Sequence, residues 1–274
     1  MGSRFVRILS LARLIIIDGL KRHALIGLIV FALAGEAGGL ILFDSIPRDI
    51  GRASNDFLFS IICITGFIFL FFHAVQAAAW DDGRRIIHTF LARPISRTEY
   101  VLGVFTGLTL LLFLLNLILG GIGWIILNSI KNSVKPICFQ YLSLSFFVLT
   151  TLGLYSIELM ILAVILFFSG AIRGSFPVLL LTLFYYFICY GLPVVREAVS
   201  YQTLENSNQG LSMLLKWMTA IFPDFSRLDF KTLVTTVDNA PPIMEFVSIF
   251  GLSTIYVVIV LWFACLLYQR RDLK

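Results

Sequence analysis

Charge is scarce in this chain: Asp, Glu, Lys and Arg make up 14% of its 274 residues, against 59% hydrophobic. A soluble globule needs more polar surface than that. Lysine never follows glycine, which removes the GxxxxGK[ST] loop whose backbone amides and lysine hold nucleotide phosphates. The HExxH and GxSxG patterns of metalloproteases and hydrolases are also missing. The four cysteines, Cys63, Cys138, Cys189 and Cys265, form no CxxC pair and lie in or beside apolar runs. They read as small hydrophobes, and no catalytic, cofactor-binding or metal-binding residue is expected. Basic and aromatic residues do not cluster together, so nucleic acid is not an expected partner.

What is present is a series of apolar runs, with a mean hydropathy of +0.94 over the chain. A helix of about 20 apolar residues crosses roughly 30 Å of hydrocarbon. Six runs are long enough: 24–43, 57–80, 100–127, 137–168, 176–195 and 246–268. Their length favours helices, because barrel strands are about half as long and alternate polar with apolar. The expected fold is an all-α polytopic membrane protein with one transmembrane domain over 1–274. The fourth run exceeds the hydrocarbon core, so it must tilt, project beyond the membrane or begin with an interfacial piece near Pro136.

Residues 1–23 read as an amphipathic interfacial helix, with Arg4, Arg7, Ser10, Asp18 and Lys21 on one arc and Phe5, Leu9, Ala12 and Leu20 opposite. Most of the 21 Lys and Arg residues fall on one set of connections if both termini are cytoplasmic, as the positive-inside rule prefers. The expected location is a cell inner membrane. The longest polar-containing segment, 196–245, is then extracytoplasmic. Within it Leu211, Leu214, Leu215, Met218 and Phe222 recur at helical spacing, predicting a short outer-surface helix before the last span. It either caps an exit or covers helix ends.

A few polar residues interrupt the spans: Glu36, His73, Gln76, Asn116 and Glu158. An intramembrane charge costs at least about 2.5 kcal/mol, so these side chains are expected to face other helices or water. Packing, lining of a substrate path and proton relay all remain open for them. Gly103 and Gly107 make a GxxxG at the start of the third run, where a neighbouring backbone can approach closely.

The cytoplasmic connection 81–99 is the least ordinary segment. It reads DDGRRIIHTFLARPISRTE, with acidic residues able to cap a helix, an apolar face of Ile86, Ile87, Phe90 and Leu91, and Pro94 to end it. A short arginine-bearing helix of this kind fits a groove in a cytoplasmic partner, or lies on anionic headgroups.

Asp81 to Gly103, with its RPISR turn at Arg93 to Arg97 and Val101-Leu102-Gly103, resembles the corresponding segment of ABC-2 type transporter permeases. The branch is that of stand-alone permeases similar to the nitrous-oxide-reductase maturation permease. Gly83-Arg84 replaces that family's usual Gly-Thr pair, and Val104 its usual lysine. The resemblance implies a dimeric transmembrane subunit, expected as a homodimer, bound to a separate ATP-binding-cassette ATPase that holds ATP and Mg. The chain would then be no enzyme itself. By residue match the ATPase-coupling candidates are Arg84, Arg85, Phe90, Arg93, Pro94, Ser96 and Arg97, with the turn near Arg173 as a second contact. The implied function is export of a substrate, or motion passed to an extracytoplasmic partner. The alternative is a proton-coupled secondary transporter using Glu36 or Glu158.

Overall fold

The computed structural model describes residues 2–21, 23–43, 50–79, 96–133, 142–202, 217, 222–235 and 243–270. Among these there is no strand. The order is α1 (Gly2–Lys21), α2 (His23–Phe43), α3 (Ile50–Ile68), a π-helical stretch Phe69–Ala74 and α4 (Val75–Ala79). There follow α5 (Arg97–Ser133), α6 (Leu144–Ala171), α7 (Ser175–Gln202), a 3-10 turn Phe225–Leu228, α8 (Lys231–Thr235) and α9 (Ile243–Arg270). Five stretches are long and apolar enough to cross a bilayer: Gly51–Ala78, Arg97–Asn132, Leu144–Ala171, Ser175–Val195 and Ile243–Arg270. They make the protein membrane-embedded by composition and length. The first apolar run forms the 21-residue helix α2, His23–Phe43.

Helix α6 is the hub. Met160 through Leu166 are buried on every side, as expected of a helix that is apolar all round. It packs on α9, α5 and α7 and touches α3 and α4. The fourth run had looked too long to span, and the structure starts its helix only at Leu144. Ser143 is extended at that start and donates its N–H to the Val234 carbonyl. Gly174, with φ +97°, makes the tight reversal into α7, a conformation that side chains with a Cβ resist.

Helix α1 lies lengthwise along α5. Leu11 faces Gly103, Ile15 and the Ala12 carbonyl face Gly107, and Gly19 faces Leu111. Each pair is one turn further along both helices, so the two run parallel. A Cβ at Gly107 would stand 3.0 Å from Ile15 Cβ and 3.1 Å from the Ala12 oxygen, so the GxxxG receives a helix of its own chain. This contact covers Leu11 and Ala12 of α1. Phe5 and Leu9, placed on the apolar arc, are 70% and 59% exposed, whereas Leu11 is buried. The bare backbone of α5 decides which face of α1 is covered.

The segment before the last helix enters the bundle. Asp224 caps the 3-10 turn, accepting from the Ser226 N–H at 3.1 Å. Phe225 packs edge-on against Tyr185, at 6.3 Å, and lies 6.4 Å from Tyr186. Both tyrosines lie well inside α7. The Leu228 carbonyl lies against Gly153, and Asn55 Nδ2 donates to the Lys231 carbonyl at 3.0 Å. Phe225, Leu228, Phe230 and Val234 are buried. The segment packs against α3, α6, α7 and α9. This part of 196–245 is thus seated on the bundle by its apolar residues, while Ser226, Arg227 and Asp229 stay exposed. The expected outer helix, with Leu211, Leu214, Leu215 and Met218, lies outside the described residues.

Candidate functional site

Two places concentrate polar side chains. The first is the face of the bundle where 80–95 leaves and returns. Helix α5 begins with a capping box, Ser96 and Glu99 at S-x-x-E spacing. The Ser96 N–H donates to Glu99 Oε2 at 3.0 Å, and the Glu99 N–H to Ser96 Oγ at 3.3 Å. Buried Glu99 also meets Arg7 of α1 at 3.5 Å. Arg97 Nη1 donates to the carbonyls of Tyr268 and Gln269, at 3.2 and 3.0 Å. Those are end carbonyls of α9, where a cation is favoured. Ser169 near the end of α6 donates to the Ala78 carbonyl of α4 at 2.8 Å and shares a 2.9 Å hydrogen bond with the Tyr268 hydroxyl. Five helices thus meet at one node.

Both flanks of 80–95 enter this node, α4 through Ala78 and α5 through Ser96 to Glu99. Of the seven coupling candidates, Ser96 and Arg97 are described, and both serve it: Ser96 as cap, Arg97 as the tie to α9. Arg84, Arg85, Phe90, Arg93 and Pro94, with the helix expected around them, lie outside the described residues. Arg173 is exposed at the α6–α7 reversal. Sequence reading missed Glu99, Ser169 and Tyr268. The S-x-x-E spacing was a usable signal for Glu99; the other two meet across 99 residues of chain and left none.

The second place is a polar seam inside the bundle. Asn116 and Glu158, 4% and 1% exposed, are joined by Asn116 Nδ2 donating to Glu158 Oε2 at 2.5 Å. The same nitrogen reaches the Leu112 carbonyl at 3.1 Å. Gly66 of α3 supplies the space: a Cβ there would overlap the Glu158 carboxyl. Along α5, Thr109, Asn116 and Gly123 share one face, each roughly 10 Å from the next. The Tyr155 hydroxyl donates to the Thr109 carbonyl at 3.2 Å. Glu36 Oε1 lies 3.9 Å from where a Cβ on Gly123 would stand. Neither carboxyl oxygen of Glu36 has a hydrogen-bond partner among the described residues, and the residue is 1% exposed.

The structure thus pairs Asn116 with Glu158 and sets Glu36 further along the same helix face. It leaves the other two candidates apart. His73 is half-buried in the π-helical stretch, its ring 5.0 Å from Phe69. Gln76 is exposed on the outside of the bundle. Cys63, Cys189 and Cys265 are free thiols.

An unpartnered buried carboxyl costs stability. Glu36→Met is therefore expected to raise the unfolding free energy by about 1–3 kcal/mol. Thermal unfolding of the purified protein checks this, and a loss of stability would mean that Glu36 has a partner. Comparison of the chain with protein-family models and with curated proteins returned no match.

Proposed function

We propose that this chain is the transmembrane permease subunit of an ATP-binding-cassette transporter of the ABC-2 type, driven by a separate ATPase. In this reading α2 makes the first of six crossings, α1 is the amphipathic entry helix, and both termini lie on the cytoplasmic side of a cell inner membrane. Residues 81–99 form the coupling segment, and two copies of the chain assemble as a homodimer. The work done is export of a substrate or motion handed to an extracytoplasmic partner.

One observation carries the proposal beyond the resemblance of 81–103. Arg97 and Glu99 near its end and Ala78 just before its start are tied to α1, α6 and α9 by Arg7–Glu99, Arg97–Tyr268 and Ser169–Ala78. A push on a loose loop dissipates in the loop; a push on a segment fixed at both flanks moves helices. The lever then shifts the bundle between two arrangements biased by ATP binding. The buried 222–235 segment stands at the opposite end of α6 from the node, where a moving bundle would open or close its outer side. A tagged chain is expected to copurify with a P-loop ATPase. Isolation without that ATPase, under conditions that preserve other membrane complexes, would remove the basis of the proposal.

A second reading is a proton-coupled secondary transporter. The buried Glu158–Asn116 pair and unpartnered Glu36 favour it, because intramembrane carboxyls are the groups such carriers use. It predicts uptake or efflux driven by a proton gradient without ATP, lost in Glu158→Gln.

A further inference from the structure

Helix α3 and its continuation α4 meet α6 at two levels. Gly66 makes room for the Glu158 carboxyl, and the Ala78 carbonyl accepts from Ser169. Gly66 and Ala78 are twelve residues apart, whereas their partners Glu158 and Ser169 are eleven apart on a helix running the same way. At about 100° per residue, eleven residues return to within about 20° of the starting face, and twelve end about 120° away from it. The surplus residue is taken up between the two contacts, where Phe69–Ala74 is π-helical and the Val75 N–H donates to the Leu70 carbonyl, five residues back. Burial shows the same step. Leu58, Ile62, Gly66 and then Phe69 with Leu70 follow α-helical spacing, but the next buried pair is Ala74 and Val75, each five residues further on. One wide turn thus keeps both contacts on one face, and it leaves His73 half-buried and Gln76 exposed.

We propose that this π-helical turn is a one-residue register switch. When the wide turn passes out through the end of α4, regular α-helix closes over 69–78, turning that end by about 100° and advancing it by about 1.5 Å. Spacing from Phe69 and Leu70 then sets His73, Gln76 and Ala77 toward α6 in place of Ala74, Val75 and Ala78, and Ser169 loses the Ala78 carbonyl. The two polar residues that lie apart from the buried seam are the ones this shift turns inward. Helix α6 is apolar from Met160 to Leu166, so bringing polar groups onto it costs free energy and the described register is the ground state. Helix shifts of about 1–2 Å are a recurrent switching element, and single π turns within α-helices recur at functional sites. Gly66 lies before the turn and stays on Glu158, so the movement is confined to the end that joins the node. The switch rests on backbone register alone, and it stands or fails separately from the ATPase.

Oxidative cross-linking of the full chain in phosphatidylcholine nanodiscs, with Cys63, Cys138, Cys189 and Cys265 replaced by Ala, tests the switch. Ala78→Cys with Ser169→Cys reports the described register and Ala77→Cys with Ser169→Cys the shifted one, because a disulfide needs Cβ atoms within about 4.5 Å. Both pairs are expected to cross-link, the 77–169 pair more slowly. Deletion of Phe72, which is 62% exposed, removes the surplus residue and should leave a regular α-helix with Ala74, Val75 and Ala78 still toward α6. In that variant the 78–169 pair should form as before, while the 77–169 rate falls at least about tenfold, the shifted register having lost its population. The melting temperature should be unchanged or higher. No 77–169 product in the undeleted chain overturns the switch, as does a 77–169 rate that the deletion leaves intact or a 78–169 pair that it abolishes. Deletion of Phe71 is the second variant; if neither deletion folds, the stretch holds no surplus residue and the proposal is overturned.

Discussion

Gly66→Ala is expected to destabilise the protein by about 3 kcal/mol, and by less than about 1 kcal/mol when Glu158→Ala is already present. The added methyl overlaps the Glu158 carboxyl. That carboxyl has little freedom to retreat, because the residue is 1% exposed and its Oε2 is held by Asn116 at 2.5 Å. Displacing it breaks the hydrogen bond and leaves the Glu158 carboxyl unmet inside the bundle, where an unpaired polar group costs more than the bond contributes. Shortening Glu158 opens the space the methyl needs, so the two substitutions are strongly coupled. Unfolding in mixed micelles of the two single variants and the double variant measures this. Equal cost of Gly66→Ala in both backgrounds would show that the clash is not with Glu158.

Gly153→Val is expected to dislodge the segment 222–235. Here the obstacle is backbone: a Cβ on Gly153 would overlap the Leu228 carbonyl oxygen, with the Phe230 ring 3.4 Å away. A carbonyl in a capped 3-10 turn cannot rotate aside as a side-chain end can. The turn must therefore move as a unit, taking Phe225, Leu228 and Phe230 out of their contacts and breaking the Asn55 to Lys231 hydrogen bond. Amide hydrogen exchange over 225–234 should accelerate at least about tenfold, the population effect of losing about 1.4 kcal/mol of local stability. Exchange as slow as in the wild type would mean that the turn is held by something other than its seat on α6.

The membrane class, the helical nature of the runs and most of their positions were legible because they depend on local properties, length and hydropathy. Interruptions were legible too: Glu36, Asn116 and Glu158 stand out from their runs. Their relations were not. Asn116 and Glu158 are 42 residues apart, and what joins them is the glycine at 66 on a third helix. The amphipathic pattern of α1 did not show that Leu11 is covered, since that contact is set by Gly103 and Gly107 of α5 rather than by hydropathy. The seating of 222–235 was not legible, because Asp224, Arg227, Asp229 and Lys231 alternate with its apolar residues. Those charges are partly used within the segment: Arg227–Asp224 and Lys231–Asp229 are ion pairs, each at 3.6 Å. The capping box was readable at Ser96-Arg97-Thr98-Glu99, and it marks where α5 starts better than the hydropathy did.

ATP hydrolysis by the complex of this chain with the proposed ATPase partner, compared between wild type and the Arg93→Ala, Pro94→Ala double variant, asks whether 81–99 transmits ATP-driven motion. Turnover is predicted to fall at least about tenfold, the equivalent of about 1.4 kcal/mol of lost coupling, while the two subunits still elute together. Unchanged turnover in an intact complex would contradict the coupling role, and transport under a proton gradient with no ATPase present would contradict the permease reading itself.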